Sequence, residues 1–302
     1  MKKTCIGVMY LLLSAMLLGA IQITPNDQFD PAAVYSIDVS QEESTLSMWG
    51  DPIDSEVDRR FKTACIYNEE EKYEVALEAY IDILYYCSSN NIPLHIDQFD
   101  NLLLRIAYCH ADMNNAPLAL DFYNYRIDVL KNENGWDGYI PQGLKILRDK
   151  DEIAIQILLG LCYQDRAVTK TILNDFDGGL GDLELMKNLL KDVKYQDNDY
   201  TGKIGDGYFG FIQNSYMLQE WEYVIKGFNA FQACMIEIGK GYSATKTMFA
   251  LRFTRNAYAQ IGNYESARNI SAQIVDIIRN NGYSDEYCRD DIKLDGYLKK
   301  TK

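Results

Sequence analysis

The chain has 302 residues, 47% of them hydrophobic and 25% charged, a balance that belongs to a folded globular protein and excludes the disordered and fibrous classes. Its 44 Asp and Glu against 30 Lys and Arg give a formal net charge of -14, which repels phosphate backbones and anionic head groups. Lys and Arg are spread thinly between carboxylates, so no basic stripe offsets this locally and nucleic acid is not an expected partner.

The first segment, residues 1–20, has the form of a signal peptide or N-terminal anchor: Lys2 and Lys3 precede an uncharged, leucine-rich run that extends to Ile23. No basic residue comes after it until Arg59, whereas acidic residues accumulate from Asp27 to Asp58, an asymmetry that favours translocation of the downstream chain. The expected location is therefore outside the cytosol, in a periplasm or cell envelope. Residues 21–55 hold three of the six prolines (Pro25, Pro31 and Pro52) and are expected to form an extended tether. From residue 56 to 302 the apolar positions recur at three and four rather than two, and no proline follows Pro141, which predicts one all-helical domain.

Within that domain the chain resembles itself. Glu71-Lys72-Tyr73-Glu74-Val75-Ala76 parallels Gly262-Asn263-Tyr264-Glu265-Ser266-Ala267, and in both a tyrosine, Tyr67 or Tyr258, stands six residues before the second aromatic. Asn115-Ala116-Pro117-Leu118-Ala119 and Glu220-Trp221-Glu222-Tyr223-Val224 repeat the scheme more loosely, and a fifth unit is expected to begin near Leu159-Gly160-Leu161-Cys162-Tyr163. A small residue, a large aromatic, a tight turn and a second aromatic-and-alanine series resemble the tetratricopeptide repeat, in which two antiparallel helices pack and successive pairs stack. The resemblance implies an all-α, right-handed superhelical stack of helix pairs that serves as a protein-interaction module. Tyr73 and Ala116 stand 43 residues apart, as do Trp221 and Tyr264, whereas the family period is about 34, so helices or linkers must be longer. A HEAT- or armadillo-like solenoid is the alternative on period alone.

Chemistry-bearing residues are few. The two histidines leave little room for nucleophilic or multi-histidine metal sites, and His110 falls in the repeat slot of Tyr67, a packing position. The cysteines beyond Cys5 are scattered through helical segments and read as buried thiols, with disulfides as the alternative in an oxidising compartment. Asp197 to Tyr208 places oxygen donors at the first, third and fifth positions of a calcium loop, but Tyr208 replaces the closing carboxylate, and a helix connection explains the same residues. Gly178-Gly179-Leu180-Gly181 lacks the strand and lysine of a phosphate loop and reads as a helix stop followed by a helix start. No residue set calls for a metal, a cofactor or a catalytic role, so the chain is expected to bind rather than to catalyse.

What remains is the inward stripe that the tetratricopeptide resemblance implies. Carried onto this sequence it selects Asn68, Tyr108, Gln213, Tyr216, Arg252, Asn256 and Gln260 as residues that meet a protein or peptide partner. Arg252 and Asn256, four apart on one helical face, resemble a basic residue and asparagine that hold a peptide carboxylate. An extracytoplasmic sensory module is the second functional expectation, and a helical enzyme the third.

Overall fold

The computed structural model describes residues 54–131, 141–195, 198–239, 242–282 and 291. The expected leader and nearly all of the tether lie outside the described residues. Among those residues the chain forms ten helices: α1 (Ser55–Glu69), α2 (Tyr73–Ser89), α3 (Ile96–Asp112), α4 (Ala116–Lys131), α5 (Glu152–Ile172), α6 (Phe176–Leu190), α7 (Thr201–Met217), α8 (Trp221–Ile238), α9 (Ala244–Gln260) and α10 (Tyr264–Asn280). Two-residue strands β1 (Leu94–His95) and β2 (Ile146–Leu147) pair in parallel, and β3 (Lys194–Tyr195) pairs antiparallel with β4 (Asn198–Asp199). The chain divides into two compact units, one ending at Lys150 and the other starting at Asp151.

Helix starts follow capping chemistry. The side chains of Asp54, Asp151, Asp175, Ser243 and Asn263 each accept from a backbone N–H in the first turn of the adjoining helix, satisfying donors that have no partner within the helix.

The helices form five hairpins, and all five turn in the same way. Glu71, Asn114, Asn174, Gln219 and Gly262 occupy the left-handed region, with φ of 60°, 58°, 63°, 62° and 79°, each two residues before the second helix begins. The N–H of the next residue reaches back to the first helix: Lys72 to Tyr67 O (2.9 Å), Asn115 to His110 O (2.7 Å), Asp175 to Lys170 O (2.8 Å), Glu220 to Ser215 O (2.9 Å) and Asn263 to Tyr258 O (2.8 Å). This six-to-one bond with a left-handed residue is the Schellman closure of a helix C-terminus.

The turn series corrects the sequence reading of the middle of the chain. The fifth unit is the hairpin α5/α6, with its second helix starting at Phe176, and Leu159–Tyr163 lies inside α5 rather than at its beginning. Phe176 is 60 residues beyond Ala116 and 45 before Trp221, because the segment between α4 and α5 carries β2 and breaks the period. Gly178, Gly179 and Gly181 do not separate two helices but lie within α6. Gly179 takes the place held by Ala76, Ala119 and Ala267 in other hairpins, and a Cβ there would meet Ala167 O at 3.0 Å and Thr171 Oγ1 at 3.2 Å. The helix connection expected over Asp197 to Tyr208 is shorter than that, since Thr201 through Tyr208 are helical in α7 and Tyr208 is buried.

In the first unit, α1/α2 and α3/α4 pack as hairpins, and α2 packs against α3. Phe61, Ala64, Ala76, Tyr80, Leu103, Ala107 and Ala119 are buried there, so small residues let helices approach while aromatics fill between pairs. Arg126 donates to both carboxylate oxygens of Asp100 at 2.9 Å, with side chains only 2% and 3% exposed. His110 stacks on Phe122 with centroids 5.4 Å apart, and burial pushes its pKa down, as a packing position requires. β1 and β2 align Leu94 with Ile146 and His95 with Leu147.

In the second unit, α5/α6, α7/α8 and α9/α10 are hairpins, and the first helices α5, α7 and α9 pack side by side in that order. Asp182 of α6 holds both Arg166 and Lys170 of α5, at 2.7 and 2.9 Å. Cys65, Cys87, Cys109, Cys162 and Cys234 are buried free thiols, and burial pushes Cys87 and Cys109 up to about 12. Cys288 lies outside the described residues.

Candidate functional site

Two of the seven expected contact residues fall in the first unit. Asn68 ends α1 half-buried, its Oδ1 accepting from the Cys109 thiol of α3 at 3.5 Å, and Tyr108 lies one residue before that cysteine. The structure thus brings Asn68 and the Tyr108 segment to the α1/α3 seam.

The other five lie on α7 and α9 of the second unit. Tyr216 and Asn256 meet directly, the Asn256 amide donating to the Tyr216 hydroxyl at 3.2 Å. The Tyr216 ring also packs on Phe253 of α9 (4.7 Å between centroids) and edge-on against Trp221 (5.5 Å), while Phe209 of α7 faces Phe253 at 6.3 Å. Aromatic pairs at these separations add to the area they bury, so the α7/α9 seam is a firm platform. Gln213 and Gln260 stand exposed on the same two helices.

Arg252 differs from the expectation of a clamp open to a partner. Its guanidinium donates to Asp291, through Nε at 2.9 Å and also through a terminal nitrogen, and Arg255 adds a third bond from its own terminal nitrogen at 2.8 Å. Asp291 and Arg255 are both buried. Burial pushes the Asp291 carboxyl up, but the bonds from Arg252 and then Arg255 outweigh it and hold the group below the usual carboxylate range. The chain therefore supplies its own carboxylate to the arginine that sequence reasoning reserved for a ligand. Neither Arg255 nor Asp291 was legible as part of this arrangement, since 36 residues separate them and no local spacing links the two.

Asp206, near the start of α7, accepts from the Tyr242 hydroxyl and from Lys246. Its own burial opposes ionisation, but these two bonds, Lys246 first, lower its pKa and fix the α8/α9 connection against α7. Glycines let α7 be approached closely: a Cβ at Gly205 would fall 2.4 Å from the Tyr242 ring, and one at Gly207 would fall 2.9 Å from Met186 of α6.

No family model matches the chain, and no curated protein matches it either. Among solved structures it is similar to BtubC (BKLC) from P. vanneervenii, at 11% identity over 77% of this chain and 84% of that one, with a TM-score of 0.52. It is also similar, at a TM-score of 0.49 and 10% identity, to the nearly identical TPR-like repeats assigned to a kinesin light chain of Podosopora anserina, covering 78% of this chain and all of that one. The repeated hairpin, its shared turn and the likeness to BtubC agree, and the chain has the nearly all-helical fold of a TPR-like repeat protein.

Proposed function

We propose that the chain is a docking module for a protein or peptide partner, and that the partner lies along the first helices of the second unit, over Gln213, Tyr216, Asn256 and Gln260. The observation that carries this reading is the α7/α9 seam: an aromatic platform of Phe209, Tyr216 and Phe253, flanked by exposed amide side chains. Rigid aromatics with adaptable polar neighbours are the composition of contact surfaces. The polar residues are spread over two helices rather than converging on one point, which favours binding over catalysis. Lys2, Lys3 and the apolar run after them support a site of action outside the cytosol.

The test is capture of crosslinked partners from intact cells by the wild-type chain and by a Gln213→Arg/Gln260→Arg variant. Both glutamines are exposed, so helicity should be unchanged by circular dichroism while capture falls at least tenfold. Undiminished capture would place the docking face elsewhere.

A further inference from the structure

The five hairpin turns are alike in backbone but not in what they show to solvent. In the first unit, the residues four before the second helix are Glu69 and Asp112. In the second unit, the same place holds Ile172, 48% exposed, and Met217, 74% exposed; one residue further on are Leu218 at 42% and Ile261 at 48%, with Tyr264 at 57% beside the last turn. The turn itself does not need an apolar side chain here, since Glu69 and Asp112 serve in the same closure. Single exposed apolar residues are ordinary, but exposed apolar residues three or four positions before the second helix in each of three consecutive hairpins form a patch of the kind that marks an interaction surface, although Gln260 holds the fourth position in the last.

Because α5, α7 and α9 pack side by side, their C-terminal ends lie in a row, one step being the roughly 8–10 Å that separates packed helices. The second helices begin along the same edge, and their N-caps and first turns carry Asp175, Asp177, Glu220, Glu222 and Glu265, all exposed, with no Lys or Arg among the first-turn residues. Carboxylates suit helix N-termini, which accounts for their position. Their sign still selects what can lie on the apolar row.

We infer that this turn edge of the second unit docks a basic amphipathic helix of a partner protein, its apolar residues on Ile172, Met217, Leu218 and Ile261 and its Lys or Arg residues against the acidic first turns. A helix rises about 1.5 Å per residue, so apolar residues roughly seven apart, about 10.5 Å along one face, come close to the upper end of that step. The edge adjoins the aromatic platform at the α7/α9 seam, Met217 following Tyr216 and Ile261 following Gln260, but its apolar row is a different set of side chains, so substitutions at the row and at Gln213 and Gln260 test the two surfaces separately.

The test uses a fluorescein-labelled amphipathic helix of Leu and Lys, its Leu and Glu counterpart, and fluorescence anisotropy with the full chain. The Leu/Lys helix should bind, and the triple variant Ile172→Ser/Met217→Ser/Ile261→Ser should weaken it about tenfold or more, since each tenfold is about 1.4 kcal/mol, of the order that one buried apolar side chain contributes. The substitutions are at exposed sites and leave net charge unchanged, so non-specific attraction to an acidic protein predicts no loss, and that result overturns the proposal. Equal binding of the Leu/Glu helix, or no binding of the Leu/Lys helix, overturns it too. Sedimentation with phosphatidylglycerol vesicles that the triple variant abolishes would assign the row to a membrane, and a dimer that the variant dissociates would assign it to a second copy; each overturns the partner-helix assignment.

Discussion

Replacing Asp100 with alanine tests how the first unit is held together. Arg126 donates two 2.9 Å bonds to this carboxylate, and the two side chains are 2% and 3% exposed, so α3 and α4 share an ion pair with almost no water. Removing the carboxylate takes from the buried guanidinium the anion that faces it and the acceptor of two of its N–H groups. Breaking a buried pair in this way costs about 3–5 kcal/mol, a large part of the roughly 5–15 kcal/mol that stabilises an ordinary domain. For a unit of this size the melting temperature should fall by about 15 °C or more. The assay is thermal unfolding followed by circular dichroism, joined to hydrogen exchange that assigns the loss to α3 and α4. The paired replacement Asp100→Leu/Arg126→Met should recover most of the loss, because apolar residues of similar volume substitute well for a buried ion pair. An Asp100→Ala cost below about 1 kcal/mol, in the range of exposed pairs, would refute the reasoning.

The second unit supplies two more tests. Gly179→Ala places a methyl group 3.0 Å from the Ala167 carbonyl and should destabilise by about 1–3 kcal/mol. Gly181→Ala, two residues on in the same helix with nothing within 4 Å, should stabilise by about 0.5–1 kcal/mol; urea unfolding of both variants decides, and similar signs would refute the packing argument. The Asp291 carboxyl has a lowered folded-state pKa, so its contribution is present above the ordinary carboxylate range and lost as pH falls through the folded value. Asp291→Asn should therefore be less stable than wild type at neutral pH, with the gap closing on acidification below about pH 4; a gap that widens in acid would contradict the assignment.

The outer repeats were legible because their turn chemistry and packing residues coincide. Asn263 caps α10, Gly262 supplies the left-handed turn, the carbonyl of Tyr258 accepts the closing bond, Ala267 is buried, and all four stand at readable spacings. The α5/α6 hairpin carries the same turn at Asn174-Asp175-Phe176, but Lys170 stands where Tyr258 does and Gly179 replaces alanine, so the pattern was masked by the residues that flank it. A glycine reads as a helix breaker in one dimension, whereas here it admits the carbonyl of a neighbouring helix. At the candidate site, the meeting of Tyr216 with Asn256 followed from the repeat register, since both lie on first helices of adjacent hairpins. The capture of Arg252 by Asp291 depends on where a later segment returns, which periodicity does not encode.

The left-handed turn residue bears on how such a chain diverges. Its five occupants are Glu, Asn, Asn, Gln and Gly, so what recurs along the chain is a torsion angle rather than an amino acid. Asparagine and glycine enter that region readily, and glutamate and glutamine are held there by the six-to-one bond that closes the helix. Side chains on these hairpins can then drift until residue-by-residue comparison falls silent, while the backbone still repeats.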